Sequence, residues 1–154
     1  MVMKPTAKYG KKAEAALDMW VKLARAFSAM NARSNEDIRS YGLTGPQFGA
    51  LECLGHLGSM TIGELSKKML VSGGNTTCII DNLEKEGLAE RVHTADDRRV
   101  IMVQLTAKGK KRFNEIFPRH AAHISTLTAT LTDEEQVTLG HLLKKLGRGV
   151  QNLA

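Results

Sequence analysis

Thr61-Ile-Gly-Glu-Leu-Ser-Lys-Lys-Met69, then Ser72-Gly-Gly-Asn-Thr-Thr-Cys-Ile-Ile-Asp-Asn-Leu-Glu-Lys-Glu-Gly87, then Glu90-Arg-Val-His93 and Val100-Ile-Met-Val-Gln-Leu105 are the segments on which the fold turns. Thr61 followed three residues later by Glu64 is a capping box, in which each side chain satisfies a backbone N–H that the first helical turn leaves without a partner. The pattern predicts a short helix over 61–69, a turn at 70–72 and a second helix from about residue 73. Ser72 is the candidate cap of that helix and Gly87 its left-handed terminator. The two β-rich runs that follow are parted by the charged stretch Thr94-Ala-Asp-Asp-Arg-Arg99, which predicts a hairpin with a charged tip. Helix, turn, helix and hairpin in immediate succession form a winged helix-turn-helix.

Working outward, Thr44-Gly-Pro-Gln47 and Thr132-Asp-Glu-Glu135 repeat the capping device. The first opens a helix through Phe48, Leu51, Leu54 and Leu57. The second opens the last helix, with Val137, Leu139, Leu142, Leu143 and Leu146 along one stripe. Apolar residues at Leu17, Trp20, Val21, Ala24 and Phe27 mark a long helix from Ala13 to about Ser34, and the polar stretch from Asn31 to Gly42 reads as its end and a loop. After Thr106 a helical pattern resumes through Phe113, Ile116, Phe117, Ile124, Leu127 and Leu131, with Pro118 as an expected kink. The fold class is mainly α with a small β-wing. Residues 1–12 are expected as a flexible basic arm, 13–40 and 107–154 as dimerisation helices, and 41–106 as the winged region of one intertwined domain.

With 154 residues, 42% apolar and 25% charged, the chain can bury a core without staples. A net charge of +6 favours an anionic partner. The surplus lies ahead of residue 113, since residues 113–154 carry four Lys/Arg against four Asp/Glu. Cys53 and Cys78 form no CxxC pair, and no window approaches a membrane span. A cytoplasmic protein is the expectation.

In such a motif the second helix lies in the major groove and the wing tip meets flanking backbone or minor groove. With Ile79, Ile80 and Leu83 facing inward, helical geometry turns Asn75, Thr77, Cys78 and Asn82 outward, as part of an Asn-Thr-Thr row. Asn75 is the candidate base reader, because its amide matches the N6/N7 edge of adenine, and Thr77 can contact base or phosphate. Gly73 and Gly74 permit close backbone approach to a phosphate. Arg98 and Arg99 suit a narrowed minor groove, with Asp96 or Asp97 to orient one of them. Ser72 and Arg91 complete the expected contact set. The plainer alternative takes Ser72-Gly-Gly-Asn75 as a turn and cap, and the wing tip as a solvated turn.

Leu83-Glu-Lys-Glu-Gly-Leu-Ala-Glu-Arg91, Asp97-Arg-Arg99 and Val103-Gln-Leu-Thr-Ala-Lys-Gly109, with Tyr41-Gly-Leu-Thr-Gly-Pro-Gln-Phe48 upstream, together resemble the MarR family over about residues 13–150. The resemblance implies a homodimer whose terminal helices interlock, with two winged modules reading a pseudo-palindromic duplex. It also implies Arg99 as the wing arginine and Asp97 as its orienting carboxylate. Two departures stand out: the first-turn arginine often seen in such recognition helices falls near Cys78, and the first helix lacks the reactive cysteine of the peroxide-sensing branch.

Trp20, Phe27, Met30, Phe48 and His56 are candidates to line an effector cavity, although residues at helical spacing are ordinarily core. His120 and His123 are spaced to chelate zinc, but no third ligand is fixed nearby, so neither metal nor cofactor is expected. No catalytic set is recognisable. The resulting expectation is a sequence-specific duplex-DNA regulator, a repressor released by a small phenolic or quinone-like effector. The alternatives are a thiol switch through Cys78 and a winged-helix protein-interaction module that never meets DNA.

Overall fold

Where the sequence places a capping box, the computed structural model starts a helix. The structure describes residues 9–69, 73–97 and 99–153. Ser72, Arg98 and residues 1–8 of the expected arm lie outside that set. Helix α1 spans Lys11–Ser40, α2 Gly45–Leu57, α3 Ile62–Met69, α4 Gly73–Lys85, α5 Ala107–Thr128 and α6 Asp133–Gln151. Thr44 and Gln47 close the box of α2, with Thr44 N donating to Gln47 Oε1 at 2.9 Å and Gln47 N to Thr44 Oγ1 at 3.3 Å. Thr61 with Glu64, and Thr132 with Glu135, repeat it at α3 and α6. The backbone N–H that Thr61 gives to Glu64 holds that carboxyl below its ordinary range.

Helix α1 is longer at both ends than its apolar pattern indicates. Lys11 and Lys12, expected in the arm, form its first turn, and the polar stretch 31–40 stays helical instead of forming a loop. That stretch satisfies itself locally: Arg33 pairs with Glu36 at 2.9 Å, and Asn35 Nδ2 donates to Asn31 O at 2.8 Å and Asn31 Oδ1 at 3.0 Å. Ile38 and Tyr41 then return to the core. Helix α5 runs through Pro118 without interruption.

Strands β1 Met60–Thr61, β2 Ala89–His93 and β3 Ile101–Leu105 form an antiparallel sheet in the order β1-β3-β2. The hairpin pairs Arg91 with Val103 and His93 with Ile101. Strand β1, which no sequence pattern announces, pairs Met60 with Val103 on the other edge of β3. Helix α4 ends as its sequence suggests. Gly87 takes φ 71°, its N–H donates to Glu84 O at 2.9 Å, and Leu88 N donates to Leu83 O at 2.8 Å. These two bonds form a Schellman motif that turns the chain directly into β2.

The chain divides into two compact units, one ending at His120 and one beginning at Ala121. The core belongs to the first, where Leu51, Leu65, Ile80, Leu83, Val103 and Ile116 are at most 1% exposed. In the second, Gln136 Nε2 donates to the carbonyls of Thr128 and Leu131 across the turn between α5 and α6. Among the described residues no helix is long and apolar enough to cross a membrane.

Candidate nucleic-acid interface and ligand cavity

The recognition helix is oriented by what it buries. Thr76, Ile79, Ile80 and Leu83 face the core, which leaves Gly73, Gly74, Asn75, Thr77, Cys78 and Asn82 exposed on the other side. One member of the expected outward row is therefore misplaced. Thr76 is fully buried, and its Oγ1 accepts a hydrogen bond from Ser66 Oγ at 2.8 Å, while Ser66 also reaches Ile62 O at 2.7 Å. This buried hydroxyl pair bridges α3 and α4 and fixes their crossing at a point where two unpartnered polar groups would each be costly. The Thr77 hydroxyl donates to Gly73 O at 3.0 Å, so its proton is engaged within the first turn and its oxygen remains an acceptor. Cys78 Sγ lies 4.0 Å from Asn82 Nδ2.

The guanidinium of Arg91, expected among the DNA-facing residues, is engaged within the fold. Its Nη2 pairs with Asp81 at 2.7 Å, its Nη1 pairs with Glu84, and its backbone N–H donates to Glu84 Oε1 at 2.9 Å. Two carboxylates of α4 thus hold one guanidinium of β2, tying the root of the wing to the recognition helix. At the wing tip Asp97 receives the Arg99 backbone N–H at 2.9 Å and its Nε at 3.3 Å. The Arg99 side chain is 92% exposed. Thr94 braces the same turn, accepting from Asp97 N at 3.2 Å and donating to Asp97 O at 2.6 Å.

The five candidate effector residues do not converge. Trp20, Phe27 and Met30 lie exposed along α1, and His56 stacks edge-on against Phe113 and Phe117 at 5.0 and 4.4 Å. Phe48 alone borders an open cavity of about 390 Å³, with Asn31, Ser34 and Asn35 of α1, Glu52 of α2 and His120 of α5 among its neighbours there. Sequence reasoning missed what anchors this cavity. Asp37 accepts from the Tyr41 hydroxyl at 2.9 and 3.0 Å and meets His120 Nδ1 at 2.8 Å, and the His120 ring packs on Phe48 at 4.6 Å. Asp37 and Tyr41 stand four residues apart at the end of α1, but the buried His120 reaches Asp37 from 83 residues away, so no local spacing betrays that contact. Among the described residues no metal-ligand cluster of His, Cys, Asp and Glu occurs, at His120 and His123 or elsewhere. Burial raises the Cys53 thiol above its ordinary value, which suits a core residue.

Burial, reinforced by the Asp37 carboxylate, also raises the Tyr41 phenol above its ordinary value of 10.0. The native state thus holds this proton more tightly than the unfolded chain does. The stability so gained is whole below pH 10.0 and is lost as pH rises through the native value. In a Tyr9→Phe protein, where Tyr41 is the sole tyrosine, an ultraviolet absorbance titration is expected to give a midpoint above 10.0. A midpoint at or below that value refutes the placement of Tyr41 over Asp37.

Comparison with known proteins agrees with this architecture. The family model described as the MarR family matches residues 43–101, which run from the start of α2 into β3. The chain is 35% identical to the HTH-type transcriptional regulator MhqR of Bacillus subtilis (strain 168), over 87% of this chain and 92% of that protein. The crystal structure of AbsC, a MarR family transcriptional regulator from Streptomyces coelicolor, superposes with a TM-score of 0.82 at 20% identity, covering 94% of this chain and 98% of that one. BpsR of Bordetella bronchiseptica, whose DNA binding is regulated by 6-hydroxynicotinic acid, superposes at 0.74 with 25% identity over 84% and 98%. A helix-turn-helix with its wing bolted to the recognition helix, matched along nearly the whole chain by a transcriptional regulator, leads to one conclusion: this chain belongs to the MarR family and is a DNA-binding transcription regulator of the winged helix-turn-helix type.

Proposed function

We propose that the chain is a cytoplasmic homodimeric repressor that binds a pseudo-palindromic operator and is released by a small phenolic or quinone-like effector. The observation that carries this reading is the combination of an open recognition-helix start with a wing tip whose arginine is oriented but solvent-facing. A cation at 92% exposure with one carboxylate behind it is poised for a second anion. Gly73 and Gly74 leave open space around the first turn of α4, so a phosphate can approach its backbone. Dimerisation is supported by the apolar residues that α6 leaves in solvent, among them Val137, Leu142 and Val150, and by Trp20 and Phe27 on α1. Two modules related by a two-fold axis meet half-sites one helical turn apart, roughly 10 bp.

The effector is assigned to the cavity between α1, α2 and α5, because it lies where residues of the long first helix meet the first helix of the winged module. A ligand there changes DNA affinity only to the extent that it binds one dimer geometry better than another. Fluorescence anisotropy on duplex DNA at several salt concentrations tests the reading. A steep linear fall of log affinity with log salt is expected, with a slope of about −0.9 for each phosphate contacted. Absence of duplex binding at low salt would leave the protein-interaction module in its place.

A further inference from the structure

We infer that Asp37 and His120 are positioning residues: their bond fixes the direction in which α1 leaves the winged module, and so sets the half-site spacing that the dimer accepts. This rests on the dimer reading above and adds the residues that govern its geometry. The basis is where the pair sits. Ile38 is the one buried residue of α1, and His120 is the last buried residue along the chain among those described. Both helices therefore run on past the core from this point, α1 toward its N-terminus and α5 toward Thr128. The His120 and Asp37 side chains are only 10% and 16% exposed, and they meet at 2.8 Å. An ionised carboxylate can only accept hydrogen bonds, so His120 Nδ1 is the donor. The bond is charge-assisted and directional, and the imidazole is seated against Phe48 of α2 at 4.6 Å.

The other contacts from α5 to the end of α1 are softer. Arg112 donates to the Tyr41 carbonyl and Arg119 lies 5.1 Å from the centre of the Tyr41 ring, both through long side chains and both to the residue that follows α1. The Tyr41 hydroxyl binds Asp37 from the same stretch of chain, so it ties α1 to its own end and not to α5. The bond between Asp37 and His120 joins the two helices directly, through short and nearly buried side chains. Small rotations at this joint are magnified by length. Trp20, which the dimer reading places at the two-fold interface, lies about 25 Å along the helix from Asp37 at 1.5 Å per residue. A tilt of about 8° displaces it by roughly 3.5 Å, close to the rise of one base pair. A dimer whose modules sit on a stiff joint accepts one spacing. On a loose joint it accepts several, and must order the modules at each binding event.

Fluorescence anisotropy of the full-length protein tests this on three duplexes: an operator selected from a random library, the same operator with two base pairs inserted between its half-sites, and a duplex carrying one half-site. The wild-type protein is expected to lose at least about tenfold in affinity on the insertion. Asp37→Asn keeps the size of the side chain and removes its charge, while His120→Phe keeps a ring on Phe48 and removes the donor. Each is expected to bind the operator about five- to tenfold more weakly than the wild type and to lose no more than about threefold on the insertion. On the single half-site each should stay within about twofold of the wild type. Tyr41→Phe deletes a bond within the end of α1 and should keep the full discrimination of about tenfold, so a mere loss of stability does not imitate a loosened joint. Melting curves establish that each variant is folded at the assay temperature. Unchanged discrimination in Asp37→Asn and His120→Phe overturns the inference and leaves the dimer reading standing, as does an equal loss in Tyr41→Phe. Failure of both variants to fold makes the pair part of the core alone and overturns the inference too. If the selected operator holds no repeated half-site, or the wild type is indifferent to the insertion, the dimer reading and the inference fall together.

Discussion

Gly109→Ala is expected to cost more than about 3 kcal/mol of folding stability, enough to remove a large part of the stability of a domain this size. A Cβ at this position would meet the carbonyl oxygen of Leu88 at 1.9 Å, its carbonyl carbon at 2.9 Å and Leu105 Cβ at 3.3 Å. The obstacle is backbone, so no rotamer change relieves it, and ordinary overpacking already costs about 1–3 kcal/mol. The same carbonyl accepts Thr106 N at 3.1 Å, and Thr106 Oγ1 bonds both Gly87 O and Gly109 N. Moving α5 away would therefore break the knot where the recognition helix, the wing and α5 meet. Urea denaturation of the variant measures the loss. Gly63→Ala serves as the control: a Cβ at this exposed position of α3 meets only Thr61 Oγ1, at 4.0 Å, and alanine within a helix is expected to gain about 0.5–1 kcal/mol. Unchanged stability in Gly109→Ala would mean that α5 does not start against Leu88.

How far the fold is legible in the sequence depends on how local each cause is. The capping boxes at Thr44, Thr61 and Thr132 involve residues three apart and appear in the structure with both reciprocal bonds. Strand β1 has two residues, and nothing in Met60 or Thr61 marks a strand; it exists because β3 offers an open edge after its pairing with β2. The end of α1 is hidden for a related reason. Polar residues 31–37 resemble a loop in composition, yet Asn31, Arg33, Asn35 and Glu36 satisfy one another along the helix.

The candidate interface divides the same way. Periodicity places Ile79, Ile80 and Leu83 inward, and the same period carried back one turn reaches Thr76. As a polar residue Thr76 suggests an outward position, because its buried partner, Ser66, lies ten positions away on another helix. Arg91 shows what the sequence leaves hidden: an arginine near a wing invites a phosphate, and its pairing with Asp81 and Glu84, one helical turn apart on the face that β2 crosses, appears only in the fold. The Asp37 and His120 pair is 83 residues apart in sequence, so only the packing of α5 against α1 creates it.

Arg99 and Asn75 are expected to fail differently when removed, and the contrast tests the proposed division of labour between wing and recognition helix. Arg99→Ala deletes an exposed cation oriented by Asp97. It should weaken a selected operator and a scrambled duplex together, and should flatten the salt dependence by about one unit for each phosphate that the arginine had neutralised. Asn75 lies on the exposed side of the first turn of α4, where a carboxamide in the major groove can pair with both the N6 and N7 of adenine. Asn75→Ala should cost about 1–3 kcal/mol on an operator selected from a random library, little on the scrambled duplex, and should relax preference at one base pair in each half-site. Arg91→Ala makes an informative third case, because losing the clamp to Asp81 and Glu84 should blur operator preference without lowering the salt slope. Binding isotherms on both duplexes at several salt concentrations decide among these outcomes. Equal weakening of both duplexes by Asn75→Ala would make that residue a backbone or capping contact, and base reading would then pass to Thr77 and its neighbours on the exposed face.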